Sequence, residues 1–541
     1  MISVPYLNFP ALPALLATST FTKISRGLFD DTFAGIHQLS WFDWMLLVPY
    51  FAILGILSIY GMHRFDTMHT FFKHRKKVQA TPPDPEVWPR ITIQLPLYNE
   101  RYVLERLLEE TLKVEYPKDR LQIQVLDDST DDTHPFAEAL CEKYLNMGYP
   151  IEYKHRTNRH GYKAGALQEG LETATGEIVA VFDADFLPPA DFLLRTVPHF
   201  GDSNVGVVQT RWTYLNREFN VLTEVQTMLL DGHFVLEHGA RSRAGHFFNF
   251  NGTAGLLRVK MITDAGGWQH DTLTEDSDLS YRAQVKGWKF VYLPSVECPS
   301  ELPVEMHGFQ VQQFRWAKGL MQVAIKLLPT LMKADIPRRT KIEAFMHLTP
   351  NVSYPLMLVL SALMLPVMIV RFYMGVWQMM LIDLPLIIAS FWSISAFYVI
   401  AQRELYPKTW KRSFAFLPAL ITAGIGLSII NSRAVLEAAI GKKSEFVRTP
   451  KYAIEGTQQV KAAVKKYRSR SGWLPYLELG AGTYFLYMCW FAIETYNYPS
   501  LPFLSLFVAG YYWAAISTLW QEHQDRRRYN RIHVLELQTA K

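Results

Sequence analysis

The stretch EIVAVFDAD, residues 177–185, is a short apolar run that ends in two carboxylates. Such a run, rich in β-branched residues, is typical of a buried β-strand. Residues 91–95 and 121–126 have the same character, and helical patterns separate the three runs. Strands that alternate with helices predict a doubly wound, mostly parallel α/β sheet, whose ligands bind beyond the carboxyl ends of the strands. The sequence therefore predicts a ligand site at the end of the third run.

The two carboxylates at this strand end, Asp183 and Asp185, are a candidate metal and diphosphate site. Two carboxylates one residue apart can share a divalent cation, and Mg²⁺ or Mn²⁺ prefers such hard oxygen ligands. Triplets of this kind also occur in solvated turns, so from the residues alone both alternatives stay open. Asp128 follows the 121–126 run in the same way, and we expect it to bind the base or ribose of a nucleotide.

Two later groups are candidates for phosphate binding and for proton transfer. Lys163 opens a predicted helix after several basic residues, and a helix N-terminus with a lysine can hold phosphate oxygens. Asp276, in the triplet Thr274-Glu275-Asp276, is a candidate general base, because a carboxylate can take the proton of an acceptor hydroxyl as a bond forms. The alternative is a helix start, in which Thr274 is the cap and the carboxylates favour the helix dipole.

The segment QQFRW, residues 312–316, lies on a predicted amphipathic helix that extends to about residue 328. Arg315 offers a planar fork for a diphosphate, and Gln312 lies about one turn earlier on the same face. Trp316 can stack on a sugar ring. The alternative is an Arg and a Trp of the kind that line membrane surfaces.

Charge and cysteine content exclude other classes of protein. The net charge of this 541-residue chain is +5, and its basic clusters at 73–77, 338–341, 461–470 and 526–531 each lie near an apolar segment. Membrane flanks explain these clusters better than nucleic-acid binding does. The three cysteines are scattered, with neither a metal-binding spacing nor a disulfide framework, which fits a reducing cytosol.

The apolar segments predict an integral membrane protein with a cytoplasmic catalytic domain. Five spans are expected at about 44–62, 350–371, 376–401, 475–494 and 500–520. We expect 413–440 to lie in the interface, because a sixth span there would place two basic segments outside; the six-span alternative stays open.

The predicted parts are a leader and first span (1–80), a catalytic domain (81–304), amphipathic interface helices (305–345), two spans (346–405), an interface helix (406–440), a cytoplasmic loop (441–472) and two spans with a basic tail (473–541).

The order and spacing of these motifs resemble the D, D, D, QxxRW pattern of membrane-integrated family-2 glycosyltransferases, the cellulose synthase superfamily. The resemblance is strongest to cellulose-synthase-like glucomannan and glucan synthases and their bacterial relatives. It covers about residues 90–325, and the segments that carry the narrower match are 124–131, 161–167, 182–186, 250–255 and 287–290.

This resemblance implies a GT-A (Rossmann-like) fold inserted between transmembrane helices, and single-displacement chemistry that inverts the anomeric centre. The implied nucleotide-sugar contacts are Tyr98, Glu100, Asp128, Lys163, Asp183, Gln312 and Arg315. Asp276 is then the catalytic base, and Asp185 with Asp183 holds Mg²⁺ or Mn²⁺. The implied acceptor contacts are Trp316, Asn251, Gly252, Thr253 and Glu275.

One further segment, 446–451, resembles the gating loop F-x-V-T-x-K of processive synthases. Phe446, Thr449 and Lys451 fit this pattern, whereas Arg448 replaces the valine. The implied loop closes over the donor, with Thr449 and Lys451 near the nucleotide. The alternative is a basic loop beside the membrane.

The expected function is a processive synthase that polymerises a β-linked glucan or (gluco)mannan from UDP-glucose or GDP-mannose and moves it across the membrane. The alternative is a non-processive enzyme that adds one sugar to a lipid. The expected partners are the donor, the growing polysaccharide and membrane lipids, with no nucleic acid; a homo-oligomer or an export subunit is compatible with the sequence. A bacterial inner membrane is favoured over a Golgi or plasma membrane.

Overall fold

The computed structural model describes residues 38–77, 80–372, 391–444, 447–449, 451–457, 472–495 and 497–539. Phe446, the 461–470 basic cluster and most of the 376–401 span lie outside these residues, so the predictions made for them stay predictions.

A seven-stranded mixed sheet forms the centre of the catalytic region, in the order β3-β2-β1-β4-β6-β5-β7. Strands β1 to β4 run parallel, as predicted, whereas β6 is antiparallel to both of its neighbours, and β5 pairs with β7 in parallel. The strands are β1 (Ile91–Leu97), β2 (Leu121–Asp127), β3 (Ile151–His155), β4 (Ile178–Val181), β5 (Val205–Tyr214), β6 (Gly255–Arg258) and β7 (Lys289–Ser300).

The register of the sheet brings the predicted acidic residues to one edge. All seven residues of β1 are buried, because this strand lies inside the sheet with both faces covered. Leu97 pairs with Asp127, and Gln94 pairs with Val181. The carboxyl ends of β1, β2 and β4 therefore lie side by side, and the residues that follow them converge.

Helices cover both faces of the sheet, as a doubly wound fold requires. In the first helix after β1, the leucines at positions 104, 107 and 108 are buried, which follows their helical spacing. A π-helical turn, His233–His238, joins α6 to α7. The helices up to this point are α1 (Trp41–His74), α2 (Arg101–Leu112), α3 (Thr133–Asn146), α4 (Tyr162–Leu171), α5 (Phe192–Thr196), α6 (Val221–Gly232), α7 (Gly239–Ala244), α8 (Val259–Asp264) and α9 (Glu275–Val285).

The QQFRW segment lies on a helix of 28 residues, α10 (Met306–Lys333), as predicted. The buried Lys318 of this helix forms an ion pair with Glu437, at 2.9 Å between Nζ and Oε2. This contact ties α10 to the C-terminal half of the chain. The later helices are α11 (Arg338–Leu348), α12 (Ser353–Phe372), α13 (Ser393–Leu405), α14 (Ser413–Gly426), α15 (Ser428–Ala439), α16 (Leu474–Glu494) and α17 (Leu501–Thr539).

Three helical segments of the described chain are long and apolar enough to cross a membrane: Trp41–His74, Pro350–Arg371 and Leu501–Arg527. They coincide with the first, second and last predicted spans. The segment predicted as one interface helix over 413–440 is instead a pair, α14 and α15, bent by 41°, which together pass the same test of length and composition. The predicted span at 475–494 is the helix α16, which is not among the three. These helices flank the region that holds the sheet, and their length and composition fit a membrane protein.

Candidate active site

A single cavity at the carboxyl edge of the sheet brings together nearly all of the predicted site residues. Thr253 lies behind the cavity wall, where its Oγ1 accepts a hydrogen bond from the Asp183 N–H at 2.8 Å. The lining includes Tyr98, Glu100, Asp128, Lys163, Asp183, Asp185, Asn251, Gly252, Glu275, Asp276, Gln312, Arg315, Trp316, Thr449 and Lys451.

Asp183 follows β4 and forms an ion pair with Lys163 at the start of α4. The Lys163 ammonium donates to Asp183 Oδ1 at 2.5 Å and to the Gly252 carbonyl at 2.8 Å. Burial opposes the charged form of Lys163, but the carboxylates of Asp183 and Glu275 outweigh it and raise the pKa of the lysine. The site therefore holds a fixed positive charge beside the first carboxylate of the DAD triplet.

Asp185 contacts a lysine from a distant loop, whose described residues are 447–449 and 451–457 and which is called the loop 447–457 below. The Lys451 ammonium donates to Asp185 and lies 3.2 Å from Glu100 Oε1. Burial works against the charge of Lys451, but these two carboxylates prevail and raise its pKa. Burial also raises the pKa of Asp185, against the charge of Lys451. The loop thus places a cation on the carboxylate that was predicted to hold a metal.

Asp128 is held by an arginine that sequence reasoning missed. Arg156 donates to both oxygens of this buried carboxylate, at 2.7 Å from Nε and 2.6 Å from its terminal nitrogen. The same guanidinium donates to the carbonyls of His160 and Tyr162 at 3.1 and 2.9 Å. Asp128 therefore fixes the loop that leads to Lys163. The available signal was the position of Arg156 directly after β3, at the same sheet edge.

A second missed arginine covers the ring of Tyr98. The Arg159 guanidinium carbon lies 3.3 Å from the centroid of this ring, a cation–π arrangement. Arg448, the residue that departs from the gating-loop pattern, donates to the carbonyls of Tyr98, at 3.0 Å, and of Asn99. The departure therefore gives the loop an additional contact with the end of β1.

Asp276 lies in the first turn of α9 and faces Gly252. Its Oδ1 accepts a hydrogen bond from the Ser277 N–H at 2.6 Å. Gly252 has a φ of +81°, and a Cβ there would lie 2.9 Å from Asp276 Oδ2, so only glycine suits this position. Burial and the adjacent Glu275 carboxylate raise the pKa of Asp276 to about 7, against the charge of Lys163. Thr274 occupies the N-cap position without a capping hydrogen bond from its side chain, whereas Glu275 and Asp276 lie in the first turn, as the helix-start alternative expected.

Helix α10 supplies the opposite wall of the cavity. The half-buried Arg315 donates to Thr449 Oγ1 at 3.1 Å, and so connects the QQFRW segment to the loop. Gln312, one turn before Arg315, and Trp316, directly after it, line the same cavity. The geometry therefore joins two motifs that are more than a hundred residues apart in sequence.

The carboxylate–imidazole group Asp127, His134 and His155 lies outside this cavity. Tyr153 donates to Asp127 Oδ2 at 2.7 Å, and its oxygen lies 2.7 Å from His134 Nδ1. The two imidazole rings stack at 3.8 Å with an interplanar angle of 19°, so their in-plane lone pairs do not converge on one point. Tyr153 thus bridges Asp127 and His134, whereas His155 Nδ1 lies 3.5 Å from Asp127 Oδ2.

Replacing Gly319 by alanine is expected to displace the Thr274–Asp276 segment, which packs against this glycine. A Cβ at Gly319 of α10 would lie 2.5 Å from Thr274 Cγ2 and 2.8 Å from the Thr274 nitrogen. The Thr274–Asp276 segment must then move relative to Arg315, and a displacement near 1 Å can lower turnover about 100-fold. We expect a loss of stability of about 1–3 kcal/mol from overpacking. Turnover and chemical unfolding measure the two effects.

Gly308→Ala on the same helix is the matched control, since its nearest neighbours would lie at 3.5 and 3.6 Å, an ordinary contact. Near-native turnover in Gly319→Ala would contradict close packing of α10 on the Thr274 segment.

Turnover is expected to rise with pH between about pH 6 and pH 8. The raised pKa keeps Asp276 protonated below about pH 7, and only the deprotonated carboxylate accepts a proton. The measurement is kcat against pH at saturating donor, with stability followed in parallel. A kcat that stays flat across this window would contradict the role of Asp276 as the titrating base.

The chain is similar to several known proteins. Residues 89–319 match the family model described as "Glycosyltransferase like family 2". The chain is 43% identical over 259 residues to glucomannan 4-beta-mannosyltransferase 1 of Oryza sativa subsp. japonica, covering 46% of this chain and 50% of that protein. It is 44% identical over 237 residues to glucomannan 4-beta-mannosyltransferase 9 of Arabidopsis thaliana, covering 43% and 44%. The chain thus spans about half the length of the curated relatives it matches.

A solved structure, "Mannosyltransferase PcManGT from Pyrobaculum calidifontis in complex with GDP-Man and Mn2+", is also similar. It is 24% identical, with a TM-score of 0.48, and the match covers 66% of this chain and 99% of that one.

The mixed sheet and the carboxylates at its edge lie within residues 89–319, the part of the chain that is similar to family-2 glycosyltransferases. Slightly less than half of the chain is also similar to the two glucomannan 4-beta-mannosyltransferases named above. Both similarities agree with the resemblance drawn from the sequence.

Proposed function

We propose that this chain is a processive, inverting glycosyltransferase that polymerises a β-linked mannan or glucomannan at the cytoplasmic face of a membrane. The observation that carries the proposal is the single cavity shared by the DAD triplet, Asp276, the QQFRW segment and the loop 447–457. GDP-mannose is the favoured donor, because the relatives named above are mannosyltransferases. UDP-glucose is the second candidate.

The donor diphosphate binds between the two walls of the cavity. Arg315 and Gln312 face it from α10, and Lys163 faces it from α4. Asp183 and Asp185 form an oxygen-only donor pair that suits Mg²⁺ or Mn²⁺. When bound there, such a cation stabilises the negative charge of the leaving diphosphate.

The nucleoside binds along the ends of β1 and β2, beside Tyr98, Glu100 and Asp128. Arg156 and Arg159 hold the Asp128 carboxylate and the Tyr98 ring in place. These two contacts fix the nucleoside end of the site before the donor arrives.

Asp276 acts as the general base. Its carboxylate takes the proton of the acceptor hydroxyl as the oxygen bonds to the anomeric carbon, while the bond from that carbon to the diphosphate breaks on the opposite face. This single displacement inverts the anomeric centre. Trp316 stacks on the terminal sugar of the acceptor, and Glu275, Gly252, Thr253 and Asn251 shape the adjoining wall.

Processivity and translocation are supported by the arrangement around the site. Thr449 and Lys451 reach into the donor cavity, which is consistent with a loop that closes over the nucleotide. Helices of membrane-span length flank the catalytic region on both sides. A transferase that adds one sugar to a lipid is the rival.

Donor turnover by the purified full chain in lipid tests the proposal. The protein receives GDP-mannose or UDP-glucose with Mg²⁺ or Mn²⁺, and the product is sized and digested with linkage-specific hydrolases. A long polymer sensitive to a β-mannanase is the expected result. A polymer made only from UDP-glucose would show that the donor is UDP-glucose and not GDP-mannose. A single sugar attached to lipid would overturn the proposal that the enzyme is processive.

A further inference from the structure

Glu301, directly after β7, binds the backbone of the loop 447–457. Its side chain is 2% exposed. One carboxylate oxygen accepts a hydrogen bond from the Tyr452 N–H at 2.8 Å, and the other accepts one from the Ile454 N–H at 3.3 Å. Arg106 of α2 lies 3.8 Å from the same carboxylate. A buried carboxyl group thus receives two N–H donors from a segment about 150 residues away in sequence.

The loop adopts a conformation that suits this anchor. Ala453, between the two donors, has a φ of +57°, a left-handed geometry that residues with a Cβ rarely adopt. Consecutive N–H groups around a left-handed residue form a concave site for an anion. The Ile454 side chain is 3% exposed, and Glu455 forms an ion pair with Arg106 at 3.0 Å. Backbone, apolar and charged contacts therefore converge on residues 452–455.

The anchored residues directly follow those that enter the donor cavity. Lys451 contacts Asp185, and Thr449 accepts a hydrogen bond from Arg315. Holding residues 452–454 against the catalytic domain fixes how far the loop reaches toward these two contacts. Neither Glu301 nor Arg106 belongs to the motifs that define the family resemblance.

We propose that Glu301 is a positioning residue that anchors the loop 447–457 over the donor site and thereby tightens nucleotide-sugar binding. The inference rests on the proposed function for its effect on the donor, whereas the anchoring contact stands on the geometry alone. A carboxylate is required because both of its oxygens accept. A glutamine here has one amide oxygen that can accept, so only one of the two backbone hydrogen bonds can form. Its NH₂ group then faces the other backbone N–H.

Cysteine labelling of the full chain in lipid tests the anchor without any turnover. Ile454→Cys reports how often the loop leaves its site, and the labelled peptide is quantified by mass spectrometry. Adding Glu301→Gln is expected to raise the labelling rate about 10-fold, because one backbone N–H loses its acceptor and is left facing an amide N–H. Arg106→Gln, which leaves Glu301 intact, is expected to give a smaller increase.

Cys141 and Cys298, both buried, are internal controls. Their labelling must stay unchanged, since a parallel rise at these positions would show general unfolding and overturn the assignment. Glu110→Gln is the matched control, because Glu110 pairs with Lys113 on the surface of α2. An unchanged labelling rate at position 454 in Glu301→Gln would also overturn the anchor.

Kinetics then separates positioning from a general structural role. Glu301→Gln is expected to raise KM for the nucleotide sugar about 10-fold while kcat changes little, and to weaken GDP or UDP binding by the same factor. A loss confined to kcat would contradict positioning of the loop. If the native chain turns over no nucleotide sugar, the proposed function fails. The labelling rate at position 454 with and without Glu301→Gln still tests whether Glu301 anchors the loop.

Discussion

Asp276→Asn is expected to lower kcat by about 10²–10⁴-fold while donor binding stays close to that of the native chain. The amide has the same shape, and its oxygen still accepts the hydrogen bond from the Ser277 N–H. It cannot take the proton of an acceptor hydroxyl, so the chemical step loses its base. Turnover, and calorimetric binding of GDP and UDP with Mn²⁺, measure the two properties separately.

Asp271→Asn provides the matched control for this variant. Asp271 lies in the same loop region, is 57% exposed and pairs with Lys326 at the surface, so its replacement is expected to leave kcat unchanged. Retention of native turnover in Asp276→Asn would refute the base assignment. A parallel loss of nucleotide binding would instead point to a role in holding the donor.

The sequence allowed prediction of the first half of the sheet and most of the site. Residues 91–95, 121–126 and 177–182 are apolar runs that end in polar or acidic residues, and their alternation with helices predicted the parallel direction of β1, β2 and β4. The antiparallel strand β6 did not stand out, because Gly255–Arg258 is only four residues long. Its placement depends on neighbours far away in the chain.

Contacts between distant segments account for what the sequence did not reveal. Arg156 on Asp128 and Glu301 on the loop backbone join residues whose types are common and whose spacing is irregular. In the membrane region, apolar length alone did not distinguish one helix over 413–440 from the bent pair α14 and α15. Both kinds of feature are set by packing rather than by local pattern.

Arg315→Lys is expected to lower kcat/KM about 100-fold, with a matching loss of affinity for GDP or UDP. Arg315 lines the wall of the cavity and donates to Thr449 Oγ1. A guanidinium presents a planar fork that binds two diphosphate oxygens at once and still reaches the loop, whereas an ammonium is a point charge on a flexible stem. Because the positive charge is kept in this variant, the loss of kcat/KM reports the contribution of the planar shape of the guanidinium. Steady-state kinetics and calorimetry with GDP give both values.

Arg433→Lys is the matched control, since Arg433 is 46% exposed and pairs with Glu437 outside the cavity. It is expected to leave kcat/KM unchanged. The Thr449→Val variant isolates the loop contact, because it removes the hydroxyl that accepts from Arg315 and keeps the shape of the side chain. If Arg315 acts mainly on the diphosphate, Thr449→Val loses much less affinity than Arg315→Lys. Equal losses would mean instead that Arg315 acts chiefly by holding the loop over the donor, and native affinity in Arg315→Lys would exclude the planar fork from donor recognition.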